Sequence, residues 1–422
     1  MQLRYGRTSL DVALEGHEPV VVERVFEGRA LTGVEQIRAR LLSALEAAGL
    51  DEFVRPGDKI TIVVPDKTRY AMADVFLPAV LDALNTRGAA DGAIEIAFAL
   101  GIHPPQSEEE QRRILGTEAS RRAAFFDHDA REAGFVELGT TRRGTPVMIN
   151  RRVWERDKLI ILGTITYHYF AGFGGGRKML IPGVASAETC RANHILALTE
   201  TGRHPLACAG RLDGNPVYED GVEAVRLVDR PILAINAVLT PDRRLLDVFC
   251  GDIVDAHRAA CEFYDRFFRV PIGSGAADVA IVSAGGAPRD INWIQAHKAV
   301  EMAFGVLRPG GSILALLECP QGTGHEDFLR WFDHPTLAEM RRALAERYQI
   351  YGQTAWNTRF KAQQCDILLL SSLPPEMVRR MGMHPIAGVE EGLRRLCEKH
   401  GQRWRPVVFP HGATFLPVAC GV

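Results

Sequence analysis

The chain has 422 residues, 46% hydrophobic and 24% charged, with a formal net charge of −2. That length exceeds one ordinary core and predicts two domains, and the composition is that of a soluble globular protein. The near-neutral balance, with no basic stripe interleaved with aromatics, excludes nucleic acid as a predicted partner, and no apolar run is long enough to span a bilayer, so no membrane association is predicted.

The start of the chain, Met1 to Arg7, lacks the apolar core of a signal peptide. The eight cysteines are Cys190, Cys208, Cys250, Cys261, Cys319, Cys365, Cys397 and Cys420. They are scattered and form no C-x-x-C pair, which argues against a zinc ribbon or an iron–sulfur cluster. Reduced thiols in a cytoplasm are the expectation. Cys190 is singled out because it lies close to a glycine-rich loop.

Apolar strand-like runs alternate with helical patterns along the chain. Residues 59–64 read as a strand, followed by Pro65-Asp66-Lys67-Thr68-Arg69 and a helix near 75–85. Residues 94–100 form the next run, followed by Gly101-Ile102-His103-Pro104-Pro105. A helix then starts at Ser107, where Glu110 completes a capping box. The run 159–165 leads into Tyr167-His168-Tyr169-Phe170-Ala171-Gly172-Phe173-Gly174-Gly175-Gly176-Arg177-Lys178, and residues 188–199 read as a helix carrying His194. The Gly- and Pro-containing stretch 269–275 marks the predicted domain boundary. Beyond it, the run 279–283 precedes Gly285 to Asp290 and a helix near 294–307 bearing Gln295 and Lys298. Residues 312–317 and 366–370 are further short strands, and 405–418 is extended.

This alternation predicts an α/β chain of two domains, each a mostly parallel sheet covered by helices. The predicted boundaries are residues 1–270 and 276–404, with 405–422 a tail packing on either domain.

The glycine loop is the most informative stretch. Glycines let backbone amides approach an anion. A lysine at the end of such a loop can pair with phosphate or act as a nucleophile. His168 is the group there that can move a proton near pH 7. A Walker loop fails, because Arg177 precedes Lys178 and Met179 follows it. A dinucleotide fingerprint fails as well, because Arg177 occupies its last glycine position. The plain alternative is a glycine-rich surface turn. Asp66 alone reads equally as a helix cap, His103 as a loop histidine, His194 as a packed helix histidine and Lys298 as a solvated lysine. What raises these residues above those readings is their place after four strand ends, where α/β sheets bind ligands. Two histidines there suit acid/base work, and Arg69 with Lys298 suits a carboxylate. The remaining histidines show no comparable setting.

At this point the chain resembles the lactate racemase family, the nickel-pincer-nucleotide enzymes. The resemblance rests on Pro65 to Arg69, Gly101 to Pro105, Tyr167 through Gly183, His194 and the segment Asp290 to Lys298, in the family's order. The run His168 to Pro182 with His194 is the specific part. The resemblance implies a 2-hydroxy acid racemase or epimerase with its active site in the interdomain cleft. It implies a nickel-pincer nucleotide (pyridinium-3-thioamide-5-thiocarboxylic acid mononucleotide with nickel) covalently attached to Lys178. His194 would be the protein's nickel ligand, and His103 and His168 the acid/base pair. Arg69 and Lys298, with Gln295 nearby, would orient the substrate carboxylate. Asp66, Thr68, Gly174, Gly175, Gly176 and Arg177 would contact the cofactor or its phosphate, and Trp356 would line the pocket. A small 2-hydroxy acid and the cofactor-biosynthesis enzymes are the implied partners.

Trp293, Ile294 and Ala287 differ from the ring pattern of lactate-specific members, so the side chain of the hydroxy acid stays open. Arg289 and His297 could add a second cation for a dicarboxylate, but each reads first as solvent-exposed. Two other classes compete with the racemase: a nucleotide-dependent transferase using the glycine loop for phosphate, and a non-catalytic nucleotide-binding protein.

Overall fold

Residues 60–65, 94–99 and 158–164 are apolar at nearly every position, which suits parallel strands buried on both faces. A computed structural model describes residues 1–132, 134–273 and 276–418. Ser274 and Gly275 of the predicted boundary, and Cys420, lie outside the described residues.

The chain divides into two compact units: Phe26–Ala197 with Pro205–Arg266, and Met1–Val25 with Leu198–His204 and Phe267–Val422. The first holds a six-stranded sheet in the order Leu245–Gly251, Ile232–Leu239, Lys158–Thr164, Ile60–Pro65, Ile94–Ala99, Ala124–Asp127. All neighbours are parallel except the first pair. Alternate residues of each strand feed two cores: Ile60, Ile62 and Val64 join Ile160 and Leu162 on one face, and Val63 joins Leu159 and Ile161 on the other.

The second unit has a six-stranded all-parallel sheet in the order His384–Pro385, Asp366–Leu370, Leu307–Leu316, Ala277–Ser283, Pro406–Phe409, Val20–Val21. Both units are thus parallel-dominated sheets with helices between the strands, the predicted class.

The boundaries depart from the sequence reading at the start of the chain. The sequence assigns residues 1–25 to the N-terminal domain, yet Leu3 and Val12 bury among Val279, Ile281 and Leu314, and Val20–Val21 extends the second sheet through Val407 and Val408. The tail joins the same unit, because Pro406–Phe409 pairs with Ala277–Ser283. Short apolar pairs such as these carry no mark of which sheet they complete; only the available edge decides.

Local chemistry sets several element ends, the first of them as predicted. Ser107 and Glu110 form the reciprocal capping box that opens Glu108–Arg122. Ser186 caps Ala187–Ile195, and Asn292 caps Trp293–Phe304. Among the described residues, no helix is long and apolar enough to cross a membrane.

Candidate active site

Parallel pairing decides which strand ends meet. Ile60 faces Ile94 on one side and Lys158 on the other. The segments after Pro65, Ala99 and Thr164 therefore leave the first unit's sheet at one edge. The chain also reverses its direction of growth here. It lays Ile94–Ala99 and Ala124–Asp127 to one side of Ile60–Pro65, then returns to place Lys158–Thr164 on the other. Such a reversal opens the crevice in which α/β sheets hold ligands.

Asp66, just beyond the central strand, is 6% exposed. One oxygen accepts from the amide and hydroxyl of Thr68, at 2.9 and 2.6 Å. The other lies 2.5 Å from His103 Nδ1. Burial acts to raise its pKa, but the hydrogen bond and charge of His103, the charge of Arg69 and the Thr68 hydroxyl together hold it well below the usual carboxylate range. An ionised carboxylate only accepts, so Nδ1 of His103 carries the proton and its Nε2 is the acceptor nitrogen. Asp66 does not cap the next helix, Ala73–Thr86, whose N-cap is Met72; it makes a local turn with Thr68 and orients a histidine.

His168 is held in the opposite sense. Its Nδ1 accepts from the Ala171 amide at 3.2 Å, which places the proton of the neutral ring on Nε2. That nitrogen is 3.3 Å from Lys178 Nζ. Burial, then the charges of Arg177 and Arg69, push Lys178 well below the ordinary lysine pKa. A neutral amine can accept from the ring N–H and is the nucleophilic form of lysine. The Lys178 amine also lies 5.6 Å from the Phe170 ring centre.

Phe170 also meets His194 edge-to-face, with ring centres 5.0 Å apart. His194 is buried, and its Nδ1 donates to the Cys190 carbonyl at 2.8 Å. Burial, then the charge of Lys178, lowers its pKa to about 3. A neutral imidazole with Nδ1–H tied to a carbonyl presents Nε2 as its acceptor, the usual arrangement of a metal-binding histidine. Among the described residues, no group of three or more His, Cys, Asp or Glu side chains is set to hold a metal ion. A metal at His194 therefore needs ligands from outside these side chains. Burial pushes the Cys190 thiol up to about 12, so it stays protonated.

The glycines have a different reason from the one predicted. Gly175 and Gly176 adopt φ of 74° and 50°, where a side chain is strained. A Cβ on Gly176 would lie 2.6 Å from the His257 ring. The Gly174 amide donates to the Thr166 carbonyl at 2.8 Å, and the Gly176 amide to Asn236 Oδ1 at 2.9 Å. His257 Nε2 donates to the Gly174 carbonyl at 2.9 Å. Two of the three amides are thus committed inside the fold, and the loop is clamped rather than opened as a phosphate nest. Arg177 also turns inward. It is 2% exposed, donates to the Ala171 carbonyl at 3.0 Å and lies 4.3 Å from the Tyr218 ring centre. Asn236 and His257 escape the sequence reading. An asparagine within the apolar run 232–239 is the signal for the first; nothing local marks the second.

The remaining predicted residues lie in the other unit. Lys298 Nζ donates to Gln295 Oε1 at 2.8 Å on the helix Trp293–Phe304. Trp356 is a core residue and not a pocket wall: it is fully buried, and its indole N–H donates to the Leu337 carbonyl at 3.0 Å. His297, read as exposed, is buried, with Nδ1 donating to the Ile294 carbonyl at 2.7 Å; Arg289 is exposed as read.

Buried neutral histidines make the first unit acid-sensitive. Burial lowers His128 to about 4, and burial with the Arg177 charge lowers His257 to about 3. Folding favours the neutral ring in both. Their contribution is complete above the unfolded value of 6.5 and is lost as pH falls from there toward 4 and 3. The expected loss is about 1.4 kcal/mol per pH unit for each ring once the unfolded histidine is protonated. Urea midpoints measured from pH 7 to 4.5 check this; a flat profile contradicts it.

A profile of the lactate racemase N-terminal domain matches residues 5–204, and one of the lactate racemase C-terminal domain matches residues 272–416. The chain is 29% identical over 404 residues to a lactate racemase of Thermoanaerobacterium thermosaccharolyticum, covering 93% of each. It is 29% identical over 390 residues to a lactate racemase of Lactiplantibacillus plantarum, covering 90% of each. The fold is similar to the lactate racemase apoprotein of T. thermosaccharolyticum, with a TM-score of 0.83 at 25% identity over 99% of both chains. A crystal structure of a Thermotoga maritima protein shares the fold at a TM-score of 0.66 and 17% identity, covering 94% of this chain and 100% of that one.

Proposed function

Because the chain belongs to the lactate racemase family, a family of isomerases, we propose that it interconverts the two hands of a small 2-hydroxy acid, with lactate as the first candidate. The observation that supports this reading best is the opposite setting of two histidines on one sheet edge. Asp66 leaves His103 Nε2 as an acceptor, and the Ala171 amide leaves His168 Nε2 as a donor.

The Cα–H of a 2-hydroxy carboxylate is a very poor acid, so its removal as a proton is hard. Removal as hydride, with a histidine taking the hydroxyl proton, avoids a carbanion and leaves a planar 2-oxo acid. When bound, a nickel-pincer nucleotide supplies a reversible acceptor for that hydride. Lys178 would hold it covalently, His194 Nε2 would be its ligand from the protein, and the buried surroundings of both fit those roles. His103 would take the hydroxyl proton of one enantiomer, and His168, entering that half of the cycle as the protonated ring, would give one to the product's oxygen and be left neutral; the reverse reaction exchanges the roles, and exchange with solvent resets both rings. Asp66 stays ionised at working pH and so keeps His103 in the receptive tautomer. Arg69 is proposed to hold the carboxylate, the role that the family resemblance also gives to Lys298 and Gln295. This reading implies cofactor-biosynthesis enzymes as partners and a cytoplasmic setting.

A nucleotide-dependent transferase would need glycine amides for phosphate, and those of Gly174 and Gly176 are already engaged. The deciding experiment uses one enantiomer of lactate deuterated at Cα, with the cofactor-loaded enzyme in ordinary water. Hydride transfer keeps the label in the product of opposite hand. Loss of the label to solvent would mean proton abstraction and would overturn the mechanism.

A further inference from the structure

One helix that no part of the sequence reading connects with chemistry touches both the loop that carries Phe170 and Arg177 and the helix that carries His194. It runs Pro216–Arg226, and its cap, Asn215, is fully buried. Asn215 Oδ1 accepts from the amides of Val217 and Tyr218, at 3.1 and 3.3 Å, the ordinary work of a cap. Its Nδ2 does something further and donates to the Phe170 carbonyl at 3.0 Å. Phe170 is the ring that lies close to both Lys178 and His194.

The next turns of the helix reach Arg177 and the residue before His194. The Tyr218 ring lies under the Arg177 guanidinium, and Gly221 leaves room for it, since a Cβ there would lie 3.0 Å from Arg177 Nε. Asp220 is completely buried. Its carboxylate accepts from the Thr141 and Thr145 hydroxyls at 2.5 and 2.8 Å, and from Asn193 Nδ2 at 2.9 Å. Asn193 precedes His194 and also donates to the Val217 carbonyl, at 3.1 Å.

A buried carboxylate held by neutral donors is a costly arrangement unless each bond is made. A core that needed only packing would be served by an apolar residue here. The three donors come from the hairpin Phe135–Thr140/Pro146–Asn150 and from the helix Ala187–Ile195, so Asp220 joins three elements at one point.

We infer that the helix Pro216–Arg226 positions the site, with Asn215 setting Phe170 and Asp220 setting His194 through Asn193. Neither is a catalytic residue; each acts through the residue it holds. The inference builds on the proposed role of His194, but its content is the orientation of that ring in the unloaded chain.

The test is NMR on the full unloaded chain carrying labelled histidine. Phe170 stands edge-on to His194, so the His194 ring protons carry a ring-current shift set by the distance and angle of the pair. Both Asp220→Asn and Asn215→Ala are expected to move or split the His194 signals. Those of His128, which is held by the Ala185 carbonyl and Asn150, should stay in place. Thr61→Val is the control, because it removes a buried hydrogen bond to Glu95 in the same unit, made at 3.2 Å. It should leave His194 where it was. If Asp220→Asn does not fold, Asn193→Ala severs the same link from the other side. Unmoved His194 signals in the folded variants, or an equal movement in the control, would overturn the inference. Nickel content of a loaded His194→Ala variant tests the metal-ligand reading separately, and it can fail without disturbing this result.

Discussion

Replacing Lys178 by alanine is expected to abolish both the covalent adduct and racemisation while the chain stays folded. The reasoning starts from the amine's environment. Burial and the nearby cations Arg177 and Arg69 disfavour its charged form, so it is a nucleophile more than an anchor of structure. Its bond to His168 Nε2, at 3.3 Å, is long for a hydrogen bond. Losing it costs about 1 kcal/mol or less, a change of a few degrees in Tm for a domain of this size. Intact mass after co-expression with the cofactor-making enzymes reads the adduct directly. Lys178→Arg is expected to behave like alanine, because a guanidinium stays charged and is not a nucleophilic amine. An adduct retained on either variant would place the tether elsewhere.

Removing either histidine of the pair has the next largest effect. His103→Ala and His168→Ala are each expected to reduce turnover about 10²–10⁴-fold in both directions, because every cycle takes a proton at one ring and returns one at the other. Each variant still holds one functional ring. Each should therefore support transient oxidation of one enantiomer, and the two variants should prefer opposite hands. Asp66→Asn follows from the same geometry. An amide can donate to His103 Nδ1 and so favour the other tautomer, which places the proton on the nitrogen that must receive one. A partial loss of rate with its pH profile displaced is the expected outcome. Wild-type turnover in either histidine variant, or one shared enantiomer preference, would remove the two-faced arrangement.

Much of the candidate site is legible in the sequence, because its residues sit where local rules concentrate meaning. Asp66, His103 and His168 follow apolar runs with no other business at their ends, and Ser107 with Glu110 announces a helix start by spacing alone. His194 and Lys178 take their roles from the resemblance of the loop and the helix after it to the lactate racemase family. The rest are properties of short windows, in which propensity, capping and periodicity act between neighbours in the chain.

Other features depend on groups distant in sequence. Whether residues 1–25 complete the first sheet or the second depends on which edge strand is open to Val20–Val21, and that strand, Pro406–Phe409, lies almost 400 residues away. Gly176 reads as a phosphate contact, but the fold sets the His257 ring against it, and Arg177 reads as a second loop cation, but Tyr218 draws it inward. Trp356 reads as a pocket wall, yet the Leu337 carbonyl claims its N–H in the core. The tautomers of His103 and His168 are likewise tertiary facts, set by a carboxylate 37 residues away in one case and a backbone amide in the other. By itself the sequence determined which chemical groups stand at the strand ends. Packing decided which of them face one another and which are consumed in holding the fold, because a buried polar group must take its partner from whatever the fold brings near.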